Sequence, residues 1–460
     1  MNIHNAPTLL FVSLAMNQTV FFKAVGDEME KRGFGVAYAS FHERSHEWLT
    51  AQGAHSYNPF ALQPDDPDAV ELDRLDVRSA NLLLSHEKAA YEVFDSARLL
   101  RKFKGHLHAM AAIFDEIAVR NGPGAVYLVQ ELGGFLSVLA AYHAARARGI
   151  DNLLIEPSFF RGRVFFERNN FAAPAVPCPL SASASEAVRA VLDQVKAARQ
   201  TVIPAKDRLH YRGAFSKLLD SRNMRRLVQK LADRYLLGKR EEFQYAGGHV
   251  RRHLRMFFNH LRLKPRYRPL PEEGRLIYYP LHVPADFALT IRSPEFLDQY
   301  ALIDYLCRSA PIGFKVAVKE HPALIGAISP ARMGDLLARN DNLLLLDPGY
   351  NNYEVLGRAE AVVTVNSKSG AEALLLGKPV VVLGDAFYRP CGLVHAVDRL
   401  GDLPAVMATL ASRREGLDAR KVGAYFQDIW NRSFPGELYD MAPDNIQRFA
   451  ESLMQRLVQD

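Results

Sequence analysis

The sequence predicts an α/β protein of two Rossmann-like domains facing each other across a cleft, and three observations lead there. Short apolar runs alternate with helical patterns in the first third of the chain, the same alternation resumes near Arg275, and a helical, strongly basic stretch lies between the two regions. Buried strands alternating with helices indicate a parallel sheet covered on both faces. At 460 residues, 48% of them hydrophobic, the chain is long enough to bury two cores.

Residues 8–15 read as the first strand, 19–32 as a helix and 35–40 as the second strand; strand 125–129, helix 135–148 and strand 152–155 follow. Ligands of such sheets sit beyond the carboxyl ends of the strands. That rule sends Asn17 and Gln18, His42 and Glu43, Gln130 and Glu131, and Glu156 toward the cleft. From about residue 179 to 265 the pattern is helical, with breaks at Pro204 and at Gly247 and Gly248. The second alternating region places strands at 276–279, 314–319, 343–346, 361–365 and 379–383, and the tail 418–460 reads as helices. The expected domains are therefore 1–180, a basic helical segment 181–265, a second Rossmann-like domain 266–417, and C-terminal helices 418–460.

Net charge is +6, and it is concentrated: between Glu186 and Arg268 there are 21 Lys plus Arg against 7 Asp plus Glu. Arg222, Arg225, Arg226 and Lys230, then Arg251, Arg252 and Arg255, recur at helical spacing. The asymmetry points to an anionic partner or to a solvated helix face. With no nucleic-acid motif beside it, a nucleic acid is not expected; an anionic membrane surface or a lipid diphosphate is. No apolar run approaches the roughly 18 to 20 residues of a membrane span, and residues 8–15 are too short and too soon polar for a signal peptide. The expected location is the cytoplasm, with association at the inner face of the inner membrane. Cys178, Cys307 and Cys391 are scattered singly, so neither a disulfide framework nor a zinc site is implied.

Residues 361–384 read as a buried strand, a polar turn, a helix and a second buried strand. Ser367, Ser369 and Gly370 fall at the helix start, where unbonded N–H groups and the helix dipole favour a phosphate. Glu372, three residues after Ser369, completes a capping box and explains part of the pattern without a ligand. The upstream run Lys319, Glu320, His321 and Pro322 is not explained that way.

Four segments, 279–286 (YPLHVPAD), 319–322 (KEHP), 364–379 (TVNSKSGAEALLLGKP) and 383–394 (LGDAFYRPCGLV), resemble the capsule polysaccharide synthesis family of bacterial glycosyltransferases. That family transfers 3-deoxy-D-manno-octulosonic acid (Kdo) from CMP-Kdo. The last segment is the most specific, and the N-terminal domain matches only loosely. The resemblance implies a GT-B fold, with a nucleotide-sugar donor held by the C-terminal domain and a glycan or glycolipid acceptor by the N-terminal one. By matching position, His321 and the pair Ser367 and Ser369 contact the CMP. Lys319, Glu320, Pro322, Asn366, Lys368, Gly370, Glu372, Tyr388 and Arg389 complete the expected donor site. Arg161, Arg163, Lys368 and Arg389 are candidates for the sugar carboxylate, and Asn17, Gln18, Arg161 and Arg163 for the acceptor. No Asp-x-Asp signature lies near these motifs, so neither a metal nor a cofactor is expected.

Retaining members of the family share Glu-Asp-Gly-Phe, whose Asp is the proposed nucleophile. Here Glu156, Pro157, Ser158 and Phe159 occupy the nearest match, with Pro157 in place of the acid. Glu156 is then the first candidate for the catalytic carboxylate, Glu131 the second and Glu167 the third, and His321, which stabilises the leaving CMP, is counted with the catalytic residues. A sialyl or other nonulosonyl transferase, a UDP-sugar epimerase of the same architecture and a non-catalytic assembly partner are the competing readings.

Overall fold

The computed structural model describes residues 7–72, 77, 79–121, 126–177, 181–199, 221–243, 246–412 and 416–458. Its strands are β1 (Thr8–Ser13), β2 (Gly35–Ser40), β3 (Ser56–Tyr57), β4 (Val126–Glu131), β5 (Asp151–Pro157), β6 (Arg163–Arg168), β7 (Arg275–Pro280), β8 (Phe314–Lys319), β9 (Leu343–Leu345), β10 (Ala361–Thr364), β11 (Val380–Val382), β12 (His395–Ala396) and β13 (Phe434–Pro435). The helices that position the site are α1 (Met16–Lys31), α2 (Ser96–Asn121), α3 (Leu136–Arg146), α4 (Ser221–Tyr235), α5 (Ala246–Leu263), α6 (Lys368–Leu375), α7 (Ala419–Arg432) and α8 (Pro443–Val458).

Strand order explains where a ligand can go. The N-terminal sheet runs β13-β6-β5-β4-β1-β2-β3 and the C-terminal sheet β12-β11-β10-β7-β8-β9. The second sheet is parallel throughout, whereas β6 and β13 add an antiparallel edge to the first. In each sheet the order reverses once, between β1 and β4 and between β7 and β10. A crevice opens at such a switch point, beyond the carboxyl ends of the strands. All six residues of β1 and all four of β10 are buried, as strands covered on both faces require. The two-domain α/β architecture expected from the sequence is thus present. β1 stops two residues early because the Leu14 N–H turns away to the Gln18 Oε1 at 2.7 Å.

Two expected segments are divided differently in the fold. Residues 418–460 do not form a separate set of helices. α7 buries Tyr425 and Phe426 in a core shared with Tyr388 of the C-terminal domain and with Phe159 and Phe160 of the N-terminal one. The chain then crosses back, β13 pairs with β6, and α8 packs on α1 with the Phe21 and Phe449 rings edge to face at 5.1 Å. Both helices are amphipathic, and each settles where an uncovered apolar face remains.

The basic segment 181–265 divides as well. Its first helix, Glu186–Ala198, buries Val188 and Leu192 in the same shared core. α4 lies against the N-terminal domain instead and α5 bridges to both domains, with contacts to the first through Arg240 to Glu43 at 3.0 Å, Arg44 to Asp233 at 2.6 Å, Lys239 to Glu47 and Arg255 to Glu92. Part of the positive charge read from sequence is therefore neutralised by acids of the neighbouring domain. The side chains of Arg222, Arg225 and Arg226 lie outside the described residues.

The stretch joining α4 to α5 is pinned by a buried charge cluster. The Lys102 ammonium on α2 donates to Glu87 Oε1 at 2.8 Å and to Glu242 Oε1 at 2.9 Å, while His106 reaches Glu242 Oε2 at 3.2 Å. Both glutamates have no solvent exposure. Burial opposes the charge of Glu242, but Lys102 and His106 outweigh it and hold its pKa below the usual carboxylate range. Burial pushes Glu87 up to about 7, against the pull of Lys102.

Candidate functional site

The carboxyl ends of β7, β8 and β10 bring together the C-terminal motifs that the sequence singles out. β8 ends in Lys319, and Glu320 and His321 follow it. The His321 Nδ1 caps a short turn by accepting from the Ala323 N–H at 3.2 Å, which places the ring proton on Nε2. Burial lowers the His321 pKa to about 4 and that of Lys319 to about 8. At neutral pH His321 is thus an uncharged imidazole with an N–H to donate.

β10 delivers Asn366 and then Ser367, which caps α6: its Oγ accepts from the Ser369 N–H at 3.2 Å. The Asn352 amide donates to Ser369 Oγ at 3.1 Å and to Glu372 Oε2 at 2.7 Å, and the Tyr278 hydroxyl donates to Asn352 Oδ1 at 3.0 Å. Tyr388 is fully buried and donates to the Ser367 carbonyl at 2.6 Å. Glu372, Tyr388 and Glu320, all buried, therefore hold the frame. Glu320 accepts from the Tyr267 hydroxyl at 2.6 Å and from the Gly326 N–H at 2.8 Å.

Gly370 is required by this packing. A Cβ there falls 2.3 Å from the Tyr388 hydroxyl oxygen. Gly370→Ala should displace Tyr388, loosen the Ser367 turn and cost about 1–3 kcal/mol in a urea melt; a melt unchanged from the parent protein counts against this account of the turn.

The buried polar atoms at this edge without a hydrogen-bond partner include His282 Nε2, in the loop after β7, and Asn366 Oδ1. The Asn366 amide is fixed by donating to the Ala288 carbonyl at 2.6 Å and to Ser293 Oγ at 3.1 Å, which leaves its Oδ1 without an acceptor's share of the network. Burial lowers the His282 pKa to about 4. His282 belongs to the segment 279–286, but no sequence signal set it apart as a site residue.

Opposite lies the N-terminal switch point. Gln18, in the first turn of α1, donates to Glu131 Oε2 at 3.2 Å, and the Tyr439 hydroxyl, on the returning C-terminal chain, donates to the same oxygen. Glu131 stays half-buried at the end of β4. Glu156 is differently placed: Arg292 of the C-terminal domain grips both its oxygens, at 2.7 and 3.1 Å, and also donates to the carbonyls of Phe171 and Ala172. Burial opposes the charge of Arg292, yet the Glu156 carboxylate holds its pKa above the ordinary value. Glu167 is paired with Arg432 at 3.3 Å, and burial raises its pKa.

The remaining expected residues separate by exposure. Asn17 and Arg161 are exposed at the rim. Lys368 reaches across to the Ser158 carbonyl at 3.4 Å and lines a narrow interdomain crevice with Arg161. Arg163 is spent on the fold: it lies over Trp430 at 4.3 Å and donates to the Trp430 carbonyl and to Ser433 Oγ at 2.8 Å. Arg389 is likewise taken by the carbonyls of Gly384 and Val397 and by Asp398. Glu43 is occupied by Arg240. Among the described residues no group of three or more His, Cys, Asp or Glu could hold a metal ion, and no helix is long and apolar enough to cross a membrane.

Comparison with known proteins adds to this geometry. Residues 195–399 match the family described as capsule polysaccharide biosynthesis protein, a span that includes all four motif segments. Protein FixF of Sinorhizobium fredii (strain NBRC 101917 / NGR234) is 31% identical over 147 residues, 32% of this chain, which covers only 35% of that relative's length. Among solved structures, Thermosulfurimonas dismutans KpsC, a beta Kdo 2,7 transferase, aligns at 16% identity over 75% of this chain and 89% of its own, with a TM-score of 0.36. A UDP-GlcNAc 2-epimerase from Neisseria meningitidis bound to UDP-GlcNAc aligns at 12% identity over 99% and 100%, with a TM-score of 0.26. At scores this low the fold rests on the strand orders above.

Proposed function

We propose, for a chain whose residues 195–399 match the capsule polysaccharide biosynthesis family, that it is a glycosyltransferase moving Kdo or a related acidic sugar from a CMP-activated donor to a bacterial surface glycan or its lipid-linked precursor. One observation carries the reading. Unpartnered His282 Nε2 and Asn366 Oδ1 sit at the same strand edge as neutral His321 and the serine-capped start of α6.

CMP leaving the sugar develops negative charge on its phosphate. The Ser367 and Ser369 hydroxyls, the start of α6 and the His321 Nε2–H are donors of the kind that stabilises such charge from fixed positions. Glu131 is the acid we assign to the anomeric carbon, because both oxygens of Glu156 are held by Arg292. Its attack breaks the sugar–phosphate bond and releases CMP; the acceptor's hydroxyl oxygen then displaces Glu131, and the hydroxyl proton passes to water or to the phosphate of the departing CMP. Gln18 and Tyr439 orient Glu131, and Asn17 and Arg161 mark the side from which the acceptor enters.

The test is incubation with CMP-Kdo, with and without acceptor glycan. CMP release that depends on acceptor supports transfer; interconversion of a UDP-sugar with no acceptor identifies an epimerase; inactivity with every donor leaves an assembly partner. Ser367→Ala with Ser369→Ala, or His321→Ala, should weaken CMP binding by about 1–3 kcal/mol. Unchanged calorimetric affinity in folded variants removes the phosphate site from this edge.

A further inference from the structure

α5 is an amphipathic helix with both faces in use. Its inward side buries Met256 and Leu263 and sends the Asn259 amide to the Gly326 carbonyl at 3.1 Å in the C-terminal half, while Arg252 donates to the Ala90 carbonyl at 2.7 Å and Arg255 pairs with Glu92 in the N-terminal half. The helix is therefore anchored to both domains. Its outward side carries Leu254, Phe258 and Leu261, which are 47%, 54% and 48% exposed and spaced by four and three residues. On α4, Val228, Leu231 and Tyr235 repeat the pattern, and the exposed Leu236 and Leu237 follow directly.

Charge identifies what covers this stripe. α5 contains four arginines and no acidic residue, and Arg251, Arg262 and the following Lys264 are exposed. An apolar stripe flanked by cations, on a helix of low overall hydrophobicity, is the pattern of a helix lying in the plane of a membrane interface. A protein partner with an apolar patch satisfies the stripe but leaves the unpaired arginines unexplained, whereas an anionic headgroup layer satisfies both. We propose that the outward face of α4 and α5 lies on an anionic bilayer, with Leu254, Phe258 and Leu261 entering the headgroup–acyl boundary. The surface is independent of the donor site and of the transfer assigned to it.

The test uses the full chain and vesicles of phosphatidylcholine mixed equally with phosphatidylglycerol, against vesicles of phosphatidylcholine alone. Co-sedimentation should occur with the anionic vesicles and weaken as salt rises. Changing Leu254, Phe258 and Leu261 together to Gln should lower the bound fraction by about tenfold or more. Exposed positions tolerate such changes, so the urea melt should stay at the parent value. No binding to either vesicle overturns the proposal. So does binding that the triple variant keeps in full, which reduces the contact to charge. A dimer in light scattering that the triple variant converts to monomer overturns it too, and assigns the face to a second copy.

Discussion

Lys102→Met should destabilise the protein by about 3–5 kcal/mol, because it leaves Glu87 and Glu242 buried without their shared cation. The sign of the pH dependence follows from the same geometry. In the variant, burial holds both carboxyls above their unfolded pKa, so the folded state favours their protonated forms. The deficit should then be small at about pH 5 and large at about pH 8. Adding Glu242→Gln should recover part of it, since a neutral amide can bond His106 without an uncompensated charge. Urea unfolding at the two pH values measures both effects; equal deficits at both would refute the charge account. Glu242 also pins the stretch between α4 and α5, so limited proteolysis should cut there first in the variant.

Glu131→Gln should abolish transfer, with kcat falling by at least about a thousandfold, on the order expected for removal of a covalent nucleophile. Its affinity for CMP should barely change, because the groups proposed to bind the donor belong to the other domain. Glu156→Gln should behave differently. An amide can keep one bond to Arg292 but not the charge, so the interdomain contact weakens, the melt shifts, and KM rises more than kcat falls. If Glu156→Gln proves inactive with a normal melt while Glu131→Gln turns over, the roles are reversed.

The sequence made the strands legible and their long-range partners illegible. β2 and β8 fall at the residues their apolar runs predict, because a strand buried on both faces declares itself locally. The capped turn at Ser367 was visible for a similar reason: its signal spans only a few residues. Arg292 gave no sign that it would meet Glu156, 136 positions away, nor Tyr439 that it would bond Glu131, 308 positions away. Such pairs follow from how the sheets and the returning tail are assembled, which no local period encodes. Glu156 therefore led on sequence grounds as the acid after a buried strand, whereas the choice between Glu156 and Glu131 depends on an arginine from the other domain. The basic stretch was legible as charge but not as two surfaces, since the acids that neutralise one of them, Glu43, Glu47 and Glu92, lie far upstream.

The returning tail also sets the order in which this protein can be made. β6 is the strand that β13 must cover, and Arg163 of β6 finds its partner Ser433 only 270 residues later. While the ribosome is adding the whole C-terminal domain, the N-terminal sheet stands with that edge open and with the apolar face of α1 not yet covered by α8. The first domain is therefore completed only after the second has been made, and the half-made chain is a natural client for a chaperone. Removal of α8 would return the protein to that state, with Phe21 stripped of its packing on Phe449, while the C-terminal domain, whose own sheet is finished earlier, stays folded.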